Sequence, residues 1–161
     1  MAQARIVRGG EGRAYGDAPW LFKATGDDTG GRFDFMVGEV AYLSGPSLHT
    51  HDEQHDTFYV LDGVLTVQAG EEVFELRPGD FVTFPPGVPH TFDNVREDQG
   101  PVRAINVMTP GGLHEFFAAA ADPALGEADL AETARRFGTR AGPTLGVRLG
   151  LAEDPTTGGA R

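Results

Sequence analysis

Short runs of β-forming residues, broken roughly every ten positions by turn residues, constrain this chain more than any other feature. Trp20-Leu21-Phe22-Lys23-Ala24 ends in the turn cluster Gly26-Asp27-Asp28-Thr29-Gly30-Gly31. Phe33 to Tyr42 follows, with Phe33, Phe35 and Val37 on one face, and Ser44-Gly45-Pro46-Ser47 breaks it. Phe58 to Leu61 runs into Asp62-Gly63, a hairpin signal from which Val64 to Ala69 returns. Val73 to Leu76 and Phe81 to Phe84 flank Pro78-Gly79-Asp80. Pro85-Pro86-Gly87-Val88-Pro89 is a stiff corner, followed by a strand at His90 to Phe92, a polar loop, and a last strand at Val102 to Met108. With Arg5 to Val7 as a further candidate, about nine or ten short strands result, the pattern of an all-β sandwich or barrel.

After Pro110-Gly111-Gly112 the period changes. Leu113, Phe116, Phe117 and Ala120 have helical spacing, and a second helix is expected over Glu127 to Phe137, closed by Gly138. Gly142-Pro143 is read as the start of an irregular tail, and residues 150–161 as disordered. The whole is read as one domain over 1–149, with a barrel core near 33–109 and two short C-terminal helices within 113–138.

The chain has no cysteine, which excludes disulfides, thiolate metal sites and cysteine nucleophiles. A formal net charge of −11 disfavours nucleic acid and anionic membranes as partners. No run approaches the roughly 18 apolar residues of a membrane span, and no apolar leader precedes residue 16, so a cytoplasmic protein is expected.

Three of the chain's five histidines, His49, His51 and His55, fall within seven consecutive positions, and His90 lies on a later strand signal. Packing rarely calls for such clustering. Neutral imidazoles joined by a carboxylate are what a divalent transition metal binds. His49 and His51 are two apart, so on a strand they share a face. Asp56 can supply the anionic oxygen, with Glu53 and His55 as competitors whose plainer reading is a solvated loop. His114 sits beside the apolar stripe of the first C-terminal helix and is assigned a surface or packing role.

Together these stretches resemble the cupin family. Its first motif is commonly G-x5-H-x-H-x3-4-E-x6-G, and His49, His51, Asp56 and Gly63 follow that spacing. Its second is G-x5-P-x-G-x2-H-x3-N, matched by Gly79, Pro85, Gly87, His90 and Asn94. There are two departures. The opening glycine falls at Leu43, with Gly45 nearby, which suggests a loop difference; and the usual glutamate is Asp56. The resemblance implies a jelly-roll barrel, the double-stranded β-helix, with His49, His51, Asp56 and His90 as ligands of one Fe, Mn, Ni, Co, Cu or Zn ion.

The C-terminal segment is similar to single-domain cupins of the quercetin 2,3-dioxygenase-like type. That likeness implies cleavage of a flavonol-like or other enolisable aromatic substrate with O2, Asp56 taking the substrate's hydroxyl proton. Phe92, Phe35 and Trp20 are candidate walls of the substrate pocket, with Phe33 and Phe22 as weaker ones. A homodimer is expected. The rival readings are a non-oxidative isomerase or cyclase, and a cupin that binds a small molecule without chemistry. A sugar-phosphate isomerase would need a basic pocket, for which Arg77 and Arg103 are the clearest candidates in the strand region.

Overall fold

A computed structural model describes residues 4–155; the end of the expected tail, 156–161, lies outside them. Ten strands form two five-stranded sheets, so the fold is the expected all-β jelly roll. One sheet has the order β1 (Trp20–Ala24), β2 (Asp34–Val40), β9 (Val102–Thr109), β4 (His55–Asp62), β7 (Phe81–Phe84). The other has β10 (Thr139–Thr144), β3 (Ser47–Thr50), β8 (His90–Asp93), β5 (Leu65–Ala69), β6 (Glu72–Leu76). All pairings within the sheets are antiparallel. The core lies between them: Phe22, Met36, Phe58, Val60, Leu65, Val67, Phe84 and Met108 are essentially inaccessible. Packing these side chains out of water supplies the main stabilisation.

Four sequence expectations need correction. Residues 5–7 form no strand. The turn at Asp62-Gly63 is not a hairpin, because β4 and β5 belong to different sheets. It carries the chain from one layer to the other, and turn chemistry alone does not say which. In β2 the buried residues are Asp34, Met36, Gly38 and Val40, so Phe35 and Val37 point outward, and Phe33 is 37% exposed. Finally, the segment after Gly138 is ordered. β10 pairs with β3, with a register shift between Arg140 and Thr144 that accommodates Gly142-Pro143. An edge strand tolerates a proline there because its outer N–H side needs no partner. Helix α4 (Leu145–Arg148) follows, with Leu145 buried.

The two expected C-terminal helices are α2 (His114–Ala120) and α3 (Glu127–Phe137), and a one-turn helix α1 (Gly26–Thr29) occupies the first turn cluster. His114 is buried, with Nδ1 3.2 Å from Asp34 Oδ1. Asp34 also accepts from the backbone N–H of Gly26 at 2.6 Å and Gly112 at 2.9 Å. This buried carboxylate therefore pins the start of α2 to the barrel. No helix among the described residues is long and apolar enough to cross a membrane.

Candidate metal centre

β3 and β8 run side by side, with His49 directly opposite His90. Directly paired residues project from the same face of a sheet, so both imidazoles enter the barrel. His51 lies just past the end of β3, and Asp56 comes from β4 of the facing sheet. The site thus bridges the two layers. One donor atom from each of His49, His51, Asp56 and His90 lies within 4.8 Å of all the others. Ligands of one ion stand about 4 Å apart at most, so small side-chain rotations close the set.

The three rings are aimed by the same device. His49 Nδ1 donates to Ser47 O at 2.7 Å and His90 Nδ1 to Val88 O at 2.8 Å. His51 Nδ1 donates to the carbonyl of Phe137. With each Nδ1–H committed to a carbonyl, each Nε2 lone pair is left for the centre, the arrangement that fixes metal-ligating imidazoles in other proteins. The proline corner contributes twice. It positions Val88 O, and Gly87, at φ 79, turns its N–H onto His51 O at 2.8 Å. Phe84 stacks on His90, with ring centroids 4.4 Å apart and planes 7° apart.

Asp56 is buried, with Oδ2 3.2 Å from His90 Nε2 and 3.7 Å from His51 Nε2. Its other oxygen accepts from the side-chain amide of Asn106, which also donates to Thr57 O at 3.1 Å. Burial pushes the Asp56 carboxyl up, but the adjacent His51 and His90 rings, which favour the ionised carboxylate, outweigh it and hold the group well below the usual carboxylate range. Burial pulls the His51 imidazole down, and the Asp56 carboxylate more than reverses this, leaving it raised. His49, half-buried and largely desolvated, with the His90 ring beside it, is pushed down to about 4. Three imidazoles and one carboxylate, buried except for the half-buried His49 and aimed inward, suit a divalent transition metal. Glu53 and His55 are exposed and stand outside this group.

A cavity of about 430 Å³ opens onto His49, His51 and Asp56 of this group. Its walls include Trp20, Phe58 and Phe92 from the barrel and Leu113, Phe116 and Phe137 from the C-terminal region. Phe92 and Trp20 therefore line it, and their rings lie 6.0 Å apart. Phe35 does not, because its parity along β2 turns it to the outer face, opposite Met36. Phe22 packs in the core against Tyr15 and Phe117. Sequence reasoning missed Asn106, the Phe137 carbonyl and Arg140, which also lines the cavity. Asn106 had one signal: it is the polar residue in the inward series Val102, Ala104, Asn106, Met108.

The first-motif departure at Leu43 also has its explanation. Leu43 itself takes φ 52, the left-handed conformation that a glycine adopts without strain. Gly45 is needed for another reason: a Cβ there would lie 2.0 Å from Phe92 O. In the second motif Asn94 is buried and spans the loop before β9. It donates to Gly100 O at 3.2 Å and accepts from Gln99 Nε2 at 2.7 Å.

Residues 32–108 match the family model described as the Cupin domain. Over 120 residues the chain is 28% identical to quercetin 2,3-dioxygenase of Bacillus subtilis, covering 73% of this chain and 35% of that one. It is 33% identical over 68 residues to an uncharacterised protein of Methanocaldococcus jannaschii, covering 42% of this chain and 53% of the other. The chain thus spans about a third and about half of these relatives' lengths. Among solved structures, a conserved protein with a double-stranded beta-helix domain from Klebsiella pneumoniae superposes with a TM-score of 0.54 at 21% identity, covering 68% of this chain and 93% of that one. A Thermus thermophilus protein gives a TM-score of 0.53 at 21% identity, covering 66% and 98%. Motif spacing, sheet order and these likenesses agree on a cupin domain over residues 32–108, in a chain that resembles quercetinase-like proteins.

Proposed function

We propose that this cupin is a metal-dependent dioxygenase of the quercetin 2,3-dioxygenase-like type, acting on an apolar, enolisable aromatic substrate. The observation that carries the reading is the aromatic-walled cavity ending on the His49, His51, Asp56 and His90 group. Its volume of about 430 Å³ lies within the range of small-molecule sites. Bound by these four residues, a divalent ion supplies Lewis acidity toward a substrate hydroxyl and a centre for O2. The chain's own residues do the rest. Trp20, Phe58 and Phe92 hold the ring system by its faces and edges. Leu113 and Phe116 complete the apolar wall and help to exclude water. Asp56, ionised at neutral pH, accepts the substrate's hydroxyl proton on Oδ2, while Asn106 holds Oδ1.

The sugar-phosphate alternative fits less well. Arg77 and Arg103 are exposed and pair with Glu75 and Glu39 on the outside. Away from the metal group the cavity walls are mostly apolar, with one arginine, Arg140, and no lysine. The test is dioxygen uptake by tag-free protein loaded in turn with Fe(II), Mn(II), Ni(II) and Co(II), with a flavonol added. Metal-dependent uptake that vanishes in His90→Ala supports the reading. No uptake with any metal, in protein holding one ion per chain, removes it and moves the search to non-oxidative substrates or ligand binding.

A further inference from the structure

Among the described residues Arg140 is the only arginine or lysine lining the cavity, and Asp56, at the metal group, is the only carboxylate. It stands on β10 directly opposite His49 on β3. Directly opposed residues share a face of the sheet, so Arg140 reaches the same side as the His49 imidazole, one strand further toward the rim. Its Nε donates to Gly142 O at 3.2 Å, which holds the stem of the guanidinium and leaves its two terminal nitrogens unspoken for. Among the described residues no carboxylate lies within salt-bridge distance of it, although acidic residues outnumber basic ones 24 to 13. Arg5, Arg13, Arg77, Arg96, Arg103, Arg135, Arg136 and Arg148 have carboxylate partners; Arg8, Lys23 and Arg32 have none among the described residues, but none of those three lines the cavity. A cation left unpaired at the rim of an apolar cavity, in so acidic a chain, has one chemical use that its neighbours do not meet. It presents a planar donor fork to an oxyanion on whatever fills the cavity.

We infer that Arg140 is a specificity-determining residue that recognises an anionic oxygen group, a carboxylate or an ionised hydroxyl, on an otherwise apolar ring-bearing substrate. The inference deepens the proposed function and rests on it for the word substrate; the recognition itself does not depend on any reaction. The anion sits at the β10 edge, beside the part of the molecule that meets the metal group, because Arg140, His49 and His90 share one row of the sheet. A single arginine suits one monoanionic group; a phosphate dianion is ordinarily met by several donors. An uncharged flavonol lacks this partner and binds without the arginine's help.

The experiment uses two probes with the same ring system. N-phenyl-1-naphthylamine is neutral, and 8-anilino-1-naphthalenesulfonate adds one anionic group. Both fluoresce in apolar surroundings. Trp20, the chain's single tryptophan, lines the cavity, so quenching of its emission follows occupancy. The full chain is titrated at low ionic strength with and without Ni(II). The wild type is expected to bind the sulfonate about tenfold more tightly than the neutral probe, the lower range for a charge-assisted pair at a partly wet site. Arg140→Gln should abolish the preference and leave affinity for the neutral probe unchanged. Arg140→Lys should keep part of it, and added salt should weaken it in the wild type. A sulfonate that binds no tighter than the neutral probe, or a preference that survives Arg140→Gln, overturns the inference. Neither probe needs dioxygen or turnover, so a failed uptake experiment leaves this outcome standing, and the converse holds as well.

Discussion

Replacing Asn106 by alanine isolates the contribution of a residue that touches no metal. Asn106 is 3% exposed and sits on β9, where its amide donates to Asp56 Oδ1 and to Thr57 O. Truncation leaves the Asp56 carboxylate with one oxygen unpartnered in a dry site. A hydrogen bond to a charged group contributes about 1.5–3 kcal/mol. For a chain of this length each kcal/mol shifts the melting temperature by about 2–4 °C, so metal-free Asn106→Ala should melt roughly 3–12 °C lower. The effect on the metal is separate. Asp56 Oδ2 is placed 3.2 Å from His90 Nε2 only while Oδ1 is held. Loss of such an outer partner typically weakens metal affinity about 10–100-fold. Competition titration of Ni(II) against a chelator, well below the melting range, reads this directly. A variant that melts as expected yet binds metal within about threefold of wild type would refute the positioning role and leave Asn106 as a structural residue. Asn106→Asp provides a second reading. It sets a like charge against Asp56, so the pair should retain a proton to higher pH and metal affinity should fall more steeply as pH drops.

Gly138→Ala should destabilise by at least about 2 kcal/mol in denaturant unfolding and weaken metal binding. Gly138 has φ 157 and ψ −180, a Cβ there would lie 1.9 Å from Thr50 O, and the preceding carbonyl holds His51. Metal affinity should decline toward acid pH. His51, raised by Asp56, is the first of the perturbed imidazoles to take a proton that the ion must displace, whereas His49 begins to compete only near pH 4. A pH-independent affinity between pH 5 and 8 would contradict the assignment of His51 as a ligand. The expected homodimer has a natural face. Leu21, Val37, Ile105, Tyr59 and Phe81 form one uncharged row across the outward face of the β1-β2-β9-β4-β7 sheet, with Tyr59 42% and Phe81 60% exposed. Elsewhere a net charge of −11 opposes self-association, so a second copy is the occupant this row suits. Phe81→Glu should convert a dimer to a monomer in light scattering; a wild type already monomeric at high concentration removes the proposal.

What could be read from the sequence was local, and what could not was set by pairing at a distance. The second motif is a contiguous corner and strand, so its stiffness, its inward histidine and its turn glycine were all visible in order. His49 and His51 were visible for the same reason. Phe35 was misplaced because alternation gives two faces without saying which is inside; Asp34 at the buried parity, answering the N-terminus of α2, reversed the intuitive choice. Asn106, Phe137 and Arg140 lie 50, 86 and 91 positions from Asp56, His51 and His49, the residues they serve or face. Only the order of strands brings them together. The irregular tail was misjudged because Gly142-Pro143 reads as a breaker, while an edge strand can carry both.

The aspartate at position 56 shows why a motif departure has to be judged in three dimensions. A side chain shorter by one methylene ought to fall short of a centre that a glutamate reaches. Here β4 lies between β9 and β7, and Asp56 is paired with Met108 on one side and Phe84 on the other. Both neighbours are buried, so the strand has little freedom to move. From that fixed position Oδ2 already stands beside His90 and His51, and Oδ1 falls within reach of Asn106. A longer side chain would carry the carboxylate past the amide that holds it. Glu53 cannot substitute, since it is exposed on the loop between β3 and β4. The shorter acid and the asparagine opposite it therefore work as a pair, and the chemistry of this site is better read from that pair than from the glutamate of the motif.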